Sequence, residues 1–169
     1  MKNYTKLILM CAAPLFLSAA DGPHVYDKAK YHFDSIHKHG LSEEHAENHT
    51  VVFLRWLIER RLMSDFFERE AADIMAKYRS GTVGIHKVYE WWDGCLIDDM
   101  LSDEGNAFAL YYFDFQRGRY IRDYISALKR GLPTEFHVDF TESNYETMKQ
   151  IIDRRYDVWK KPKRKWWPF

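Results

Sequence analysis

Residues Ser42-Glu43-Glu44-His45-Ala46-Glu47-Asn48-His49-Thr50-Val51-Val52-Phe53-Leu54-Arg55-Trp56-Leu57 decide the fold class. Ser42 is a suitable N-cap, and Glu43 and Glu44 suit the positive end of a helix. His45, His49, Val52, Phe53, Trp56 and Leu57 recur at steps of three and four, while Arg55, Glu59 and Arg60 fall elsewhere. That period predicts an amphipathic helix running from Ser42 to near Met63.

The same period extends outward. Ser64-Asp65 opens a second helix with Phe66, Phe67, Ala71, Ile74, Met75 and Tyr78 as its stripe, and Ser80-Gly81 closes it. Thr82 caps a shorter helix through Val88 to Trp92, and Leu96, Ile97, Met100 and Leu101 predict another turn or two. Ser102-Asp103-Glu104 caps the run Phe108, Tyr111, Tyr112 and Phe115, which Gly118 interrupts. Tyr120 to Lys129 reads as helix, stopped by Gly131 and Pro133. Phe136, Val138 and Phe140 alternate with polar neighbours and predict a short strand. Ser143-Asn144-Tyr145-Glu146 reads as a capping box for a last helix burying Tyr145, Met148 and Ile152. The expected fold is mostly α: a single compact helical domain of about five to seven helices with at most a small strand element.

The ends carry a different signal. Lys2 and Lys6, the apolar run Leu7 to Leu17 and the small residues Ser18-Ala19-Ala20 read as a signal peptide over 1–20, cleaved near Ala20. The run falls short of the roughly 20 apolar residues that cross a bilayer. The mature chain is therefore expected in the periplasm or secreted, with a His-rich segment over 21–40, the helical domain over 41–160 and a basic aromatic tail over 161–169. Cys11 leaves with the leader, so Cys95 is the one mature cysteine and no intramolecular disulfide is expected. Over residues 21–159, 18 basic side chains meet 25 acidic ones, a net of −7. An acidic body argues against nucleic-acid binding. Lys163, Arg164, Lys165, Trp166 and Trp167 combine charge and rings in a way that suits weak contact with an anionic membrane surface.

No nucleophile elbow, phosphate loop or complete metalloprotease motif is present, and no cofactor is expected. His45 and His49 lie four apart on one helix face, a spacing zinc ligands use, but the metalloprotease pattern requires glutamate where Ala46 stands. An alternative metal set draws on His32, His45 and His49, with Asp34, His37 and His39 nearby. Against it stands the plainer reading of His49 as a hydrogen-bonded core histidine. Asp93, Asp98, Asp99, Asp103 and Glu104 form an acidic cluster that could serve carboxylate chemistry. Helix capping explains Asp103 and Glu104 as well. The pairs Trp91-Trp92 and Tyr111-Tyr112 cannot both face one core from one helix, so one member of each should meet a groove, a neighbour or solvent.

Tyr26-Asp27-Lys28-Ala29-Lys30-Tyr31-His32-Phe33, His49 ahead of Phe53-Leu54-Arg55-Trp56-Leu57-Ile58, Asp93-Gly94-Cys95-Leu96, Asp103-Glu104-Gly105-Asn106-Ala107-Phe108, His137-Val138-Asp139 and Asp153-Arg154-Arg155-Tyr156 resemble a family of small uncharacterised bacterial domains. The resemblance implies a loose association with immunity-type proteins and no particular activity. The leader departs from that family's pattern. The leading expectation is an exported, non-enzymatic protein that binds a protein partner, an immunity-type inhibitor of a toxin or envelope enzyme. Trp91, Trp92, Asp98, Asp99 and Asp103 would form the interface, with charge steering toward a basic partner. The rivals are a secreted metal-dependent or carboxylate-based hydrolase, and an envelope protein tethered by its tail.

Overall fold

In a computed structural model that describes residues 22–161, Val25-Tyr26-Asp27-Lys28 forms a strand, β1 (Val25–Lys28), paired antiparallel with β2 (Cys95–Ile97). Val25 lies opposite Ile97, Asp27 opposite Leu96 and Lys28 opposite Cys95, with an irregular register between Val25 and Asp27. A strand facing a core on one side alternates in burial. Here Tyr26, Asp27 and Lys28 are all buried, because the irregularity re-aims successive side chains and both faces are covered. Among the described residues there are eight helices: α1 (Phe33–Lys38), α2 (Glu44–Glu59), α3 (Asp65–Glu70), α4 (Ala72–Arg79), α5 (Ile85–Trp91), α6 (Asp103–Tyr112), α7 (Tyr120–Leu128) and α8 (Glu142–Lys160). The protein is a mostly helical single domain with a two-strand antiparallel sheet. The leader over 1–20 and the tail residues Lys163, Arg164, Lys165, Trp166 and Trp167 lie outside the described residues.

Several boundaries differ from the sequence reading, each for a local reason. The Leu96-Ile97 stretch is β2 followed by a 3-10 turn at Asp98–Met100, because Ala29 N donates to Gly94 O at 2.9 Å and Asp98 N to His24 O at 3.0 Å, continuing the pairing with β1. The alternation at Phe136, Val138 and Phe140 forms no strand. Glu135–His137 is a 3-10 turn against α2, with no neighbouring strand to complete a ladder. The helix expected from Ser64 breaks at Ala71 into α3 and α4. Thr141 rather than Ser143 caps α8, accepting from Asn144 N at 3.1 Å. Gly84 rather than Thr82 precedes α5. Ser64 and Ser102 cap as expected, accepting from Phe67 N at 3.0 Å and Gly105 N at 3.1 Å.

The axle of the fold is α2. Every residue from Ala46 to Leu54 is buried, so the helix is covered all round rather than along one stripe. It packs against α1, α5, α8 and the 3-10 turns at Ala29–Tyr31 and Glu135–His137. Phe53 sits in an aromatic cluster, 4.6 Å from the Phe113 ring and 5.4 Å from Tyr120 by centroids. At the far end Trp56 Nε1 donates to Asp153 Oδ1 of α8 at 2.7 Å. Across the core, Asp123 of α7 accepts from Tyr112 at 3.0 Å and from Arg155 at 2.8 and 2.9 Å, joining α6, α7 and α8.

A Cβ at Gly105 would stand 2.4 Å from Leu62 O and 3.3 Å from Leu101 Cβ, so α6 lies directly on the backbone after α2. Alanine favours a helix interior by about 1 kcal/mol over glycine. Overpacking against fixed backbone should reverse this, so Gly105→Ala is expected to destabilise by about 1–3 kcal/mol in urea unfolding. Glu47 is buried in α2 with Oε2 lacking a hydrogen-bond partner in the described structure. Burial, reinforced by Glu90 and Glu44, raises its carboxyl from 4.5 to about 7. A carboxyl raised on folding contributes stability that is present below its unfolded value and lost as pH rises through its folded value. The His86 imidazole, lowered by burial, acts in the opposite sense, its contribution being lost as pH falls. The difference between Glu47→Gln and the parent isolates Glu47: the variant should melt higher at about pH 8, with the gap closing toward about pH 5.

Candidate functional site

Asp27 lies at the middle of β1, His32 just before α1 and His49 in the second turn of α2, and their side chains converge. Their ligand atoms all lie within 4.8 Å of one another. His32 Nε2 is 2.8 Å from Asp27 Oδ1, and His49 Nε2 is 3.2 Å from Asp27 Oδ2. Thr50 Oγ1 donates to the same Oδ2, so both carboxylate oxygens are engaged. The two imidazoles meet edge to face with centroids 4.8 Å apart, and Phe136 covers both.

The scaffold holds each member in place. Tyr26 donates to Asn106 Oδ1 at 2.8 Å, while Asn106 Nδ2 donates to Asp98 O at 2.9 Å and Leu101 O at 3.1 Å. That clamp fixes β1 beside the turn after β2. Tyr120 OH donates to His49 O at 2.5 Å, tying α7 to α2 at the ligand-bearing residue. Gly94, at φ +59°, brings the turn before β2 close to Ala29, a backbone conformation that L side chains rarely adopt.

Burial alone would raise the Asp27 carboxyl, but the hydrogen bonds and charge of His32 and His49 hold it well below the usual carboxylate range. A carboxylate depressed in this way contributes stability throughout the ordinary pH range and loses it only as pH falls through the depressed value.

These three groups form one wall of a pocket of about 500 Å³. Tyr26, Phe113, Phe115, Tyr120, Ile121 and Phe136 supply much of the rest, with Glu135 and Ser35 at its edge. Asp27 and His49 are buried, while the His32 side chain keeps 22% of its surface exposed. A mostly apolar concavity with a few convergent polar groups is the usual form of a small-molecule site.

The structure separates the histidines that sequence spacing groups together. His45, half-buried, points to Ser42 Oγ at 2.9 Å and Asp139 at 3.4 Å, away from His32 and His49. Asp27 takes the place that the His32, His45, His49 set gave to His45. Asp34, His37 and His39 are exposed and lie outside the set. Asp99 and Asp103 are exposed, and Asp98 is half-buried, its Oδ1 accepting from Asp99 N at 3.0 Å. Trp92 belongs to the core at 2% exposure, packed on Phe67 with centroids 5.0 Å apart, so only half-buried Trp91 of that pair reaches the surface. Tyr111 is exposed and Tyr112 buried, the division that adjacency on one helix requires. The signal for Asp27 was its placement five residues before His32 with a chain turn between them, legible only once residues 25–28 are a strand.

The chain belongs to the family described as Domain of unknown function (DUF7832), whose match covers residues 25–138 and contains Asp27, His32 and His49. No curated protein and no solved structure matches it.

Removing one partner of a buried charged pair costs about 3–5 kcal/mol, because the remaining groups lose their counter-charge in a poorly solvated place. Asp27→Ala is expected to fall in that range by chemical denaturation. Asp139→Ala, which breaks the exposed pair with His45, should change stability by less than about 1 kcal/mol.

Proposed function

We propose that the protein binds a small molecule in the Asp27–His32–His49 pocket and hydrolyses it. One observation carries this reading: a carboxylate and two imidazoles meet on the polar wall of an otherwise largely apolar pocket. In such a reaction the oxygen of a water molecule bonds to an acyl carbon or phosphorus, the bond to the leaving group breaks, and the water's proton passes by way of an imidazole to the departing atom. His32, the more exposed imidazole, is the group placed to exchange that proton, with Asp27 orienting it. The apolar walls would take the body of the substrate. We also propose, from the signal-peptide pattern read in residues 1–20, that this activity is exported.

The test is turnover of nitrophenyl esters and phosphodiesters by the untagged full-length protein. His32→Ala should lower turnover by about 100-fold or more, the usual worth of a positioned acid–base group. His45→Ala should leave it unchanged. Turnover indifferent to His32, or none across the panel, contradicts the reading.

A specific surface feature favours a second reading, an immunity-type protein that binds a protein partner. Leu110, Tyr111 and Phe115 are 43%, 48% and 81% exposed around the end of α6 and the loop after it. Exposed aromatic side chains grouped in this way are typical of interfaces. Under that reading Tyr111→Ala and Phe115→Ala would abolish binding of a protein partner that His32→Ala still binds.

A further inference from the structure

We propose that Asp27, His32 and His49 hold a divalent zinc ion, with its remaining coordination position facing the pocket. The inference rests on the reading of this pocket as the working site and revises one role in it: with zinc bound, His32 and Asp27 serve as ligands, and the proton exchange given to His32 holds only for a metal-free site. A tetrahedral zinc ion with bonds of about 2.0–2.1 Å sets its ligand atoms about 3.3 Å apart. The two contacts to Asp27, 2.8 and 3.2 Å, fall just short of that spacing, and the whole set closes within 4.8 Å. Both histidines present Nε2 to the same carboxylate, one to each oxygen, so the three donors already face one another.

The chemistry of the donors selects the ion. Two imidazole nitrogens and one carboxylate oxygen suit zinc, whereas magnesium and calcium prefer oxygen donors alone. The same donor set also serves iron(II), which makes iron a competitor to be measured. Three protein ligands beside a cavity are the pattern of a catalytic zinc site, since structural sites close with a fourth protein ligand. His32 retains its exposure on the pocket side, which leaves room for a water molecule or a substrate atom.

The surroundings supply what a zinc site needs beyond its ligands. Ligating carboxylates are themselves held by hydrogen bonds. Thr50 fills that role for Asp27. Tyr120, bonded to the His49 carbonyl, and the Tyr26–Asn106 clamp fix the backbone that carries the ligands. Tyr26, Thr50 and Tyr120 are each buried, so these supports are shielded from competing water.

The experiment is calorimetric titration of zinc sulfate into untagged, chelator-stripped full-length protein, with cobalt(II) absorption as a report on coordination geometry. One zinc ion should bind per chain, and cobalt should give a four-coordinate spectrum. His32→Ala should weaken binding by about 100-fold or more, since even losses outside the ligand shell cost about 10–100-fold. His32 is the ligand to remove first, because its partial exposure lets the variant fold, which circular dichroism would verify. His39 and His137, whose rings lie 5.1 Å apart, form the obvious surface competitor. Zinc binding that His137→Ala abolishes and His32→Ala leaves intact overturns the proposal, as does an absence of zinc binding or tighter retention of iron(II) than zinc. Zinc bound through His32 without hydrolysis leaves this assignment standing and removes the hydrolase reading. Hydrolysis that needs His32 but survives chelation does the reverse.

Discussion

The carboxylate of Asp27 accepts from side chains that arrive from separate parts of the chain: His32 at the entry to α1, and His49 and Thr50 on α2. Burying an ionised carboxylate costs several kcal/mol unless its oxygens are occupied. Here they are, and the offset is collected only when β1, α1 and α2 hold their mutual positions. The register irregularity between Val25 and Asp27 makes this possible, because it allows Tyr26, Asp27 and Lys28 all to be buried in succession. Tyr26 then reaches Asn106 while Asp27 reaches the histidines.

From that point the rest of the architecture reads as support. α2 carries His49 and Thr50 on one side and Phe53 and Trp56 further along, so the polar set and the aromatic core share one rigid rod. Phe113 and Tyr120 belong to both: they pack on Phe53 and also line the pocket. A displacement of α7 would therefore disturb core packing, the Tyr120 bond to His49 and the shape of the pocket together. This coupling holds the three side chains in a preorganised arrangement.

Much of the helical frame was legible in sequence because the three- and four-residue period is strong. Ser64 and Ser102 cap their helices, and Tyr145, Met148 and Ile152 are buried in α8, whereas α6 ends at Tyr112, short of the Phe115 and Gly118 expected at its end. The strands were not legible. β1 and β2 are four and three residues long, and each is made by pairing with a partner about 70 positions away that leaves no local period. Without β1 nothing local marks Asp27, and helical spacing alone joins His45 to His49. Helical spacing places two residues on one face without saying what that face meets. In the fold, His49 turns inward to Asp27 and His45 outward to Asp139. The quoted family stretches held the better clue, since they contain Asp27, His32 and His49 along with Gly94 and Asn106, which position them.

Asp27, His32 and His49 are proposed to form one metal-holding site on the pocket wall. A crystal structure of the full-length protein grown with zinc, with anomalous diffraction recorded on both sides of the zinc absorption edge, tests it most directly. A single strong anomalous peak is expected within bonding distance of both Nε2 atoms and an Asp27 oxygen, with a water or ligand completing the shell on the pocket side. A peak elsewhere, or imidazoles still hydrogen-bonded to Asp27 with no metal between them, would contradict it.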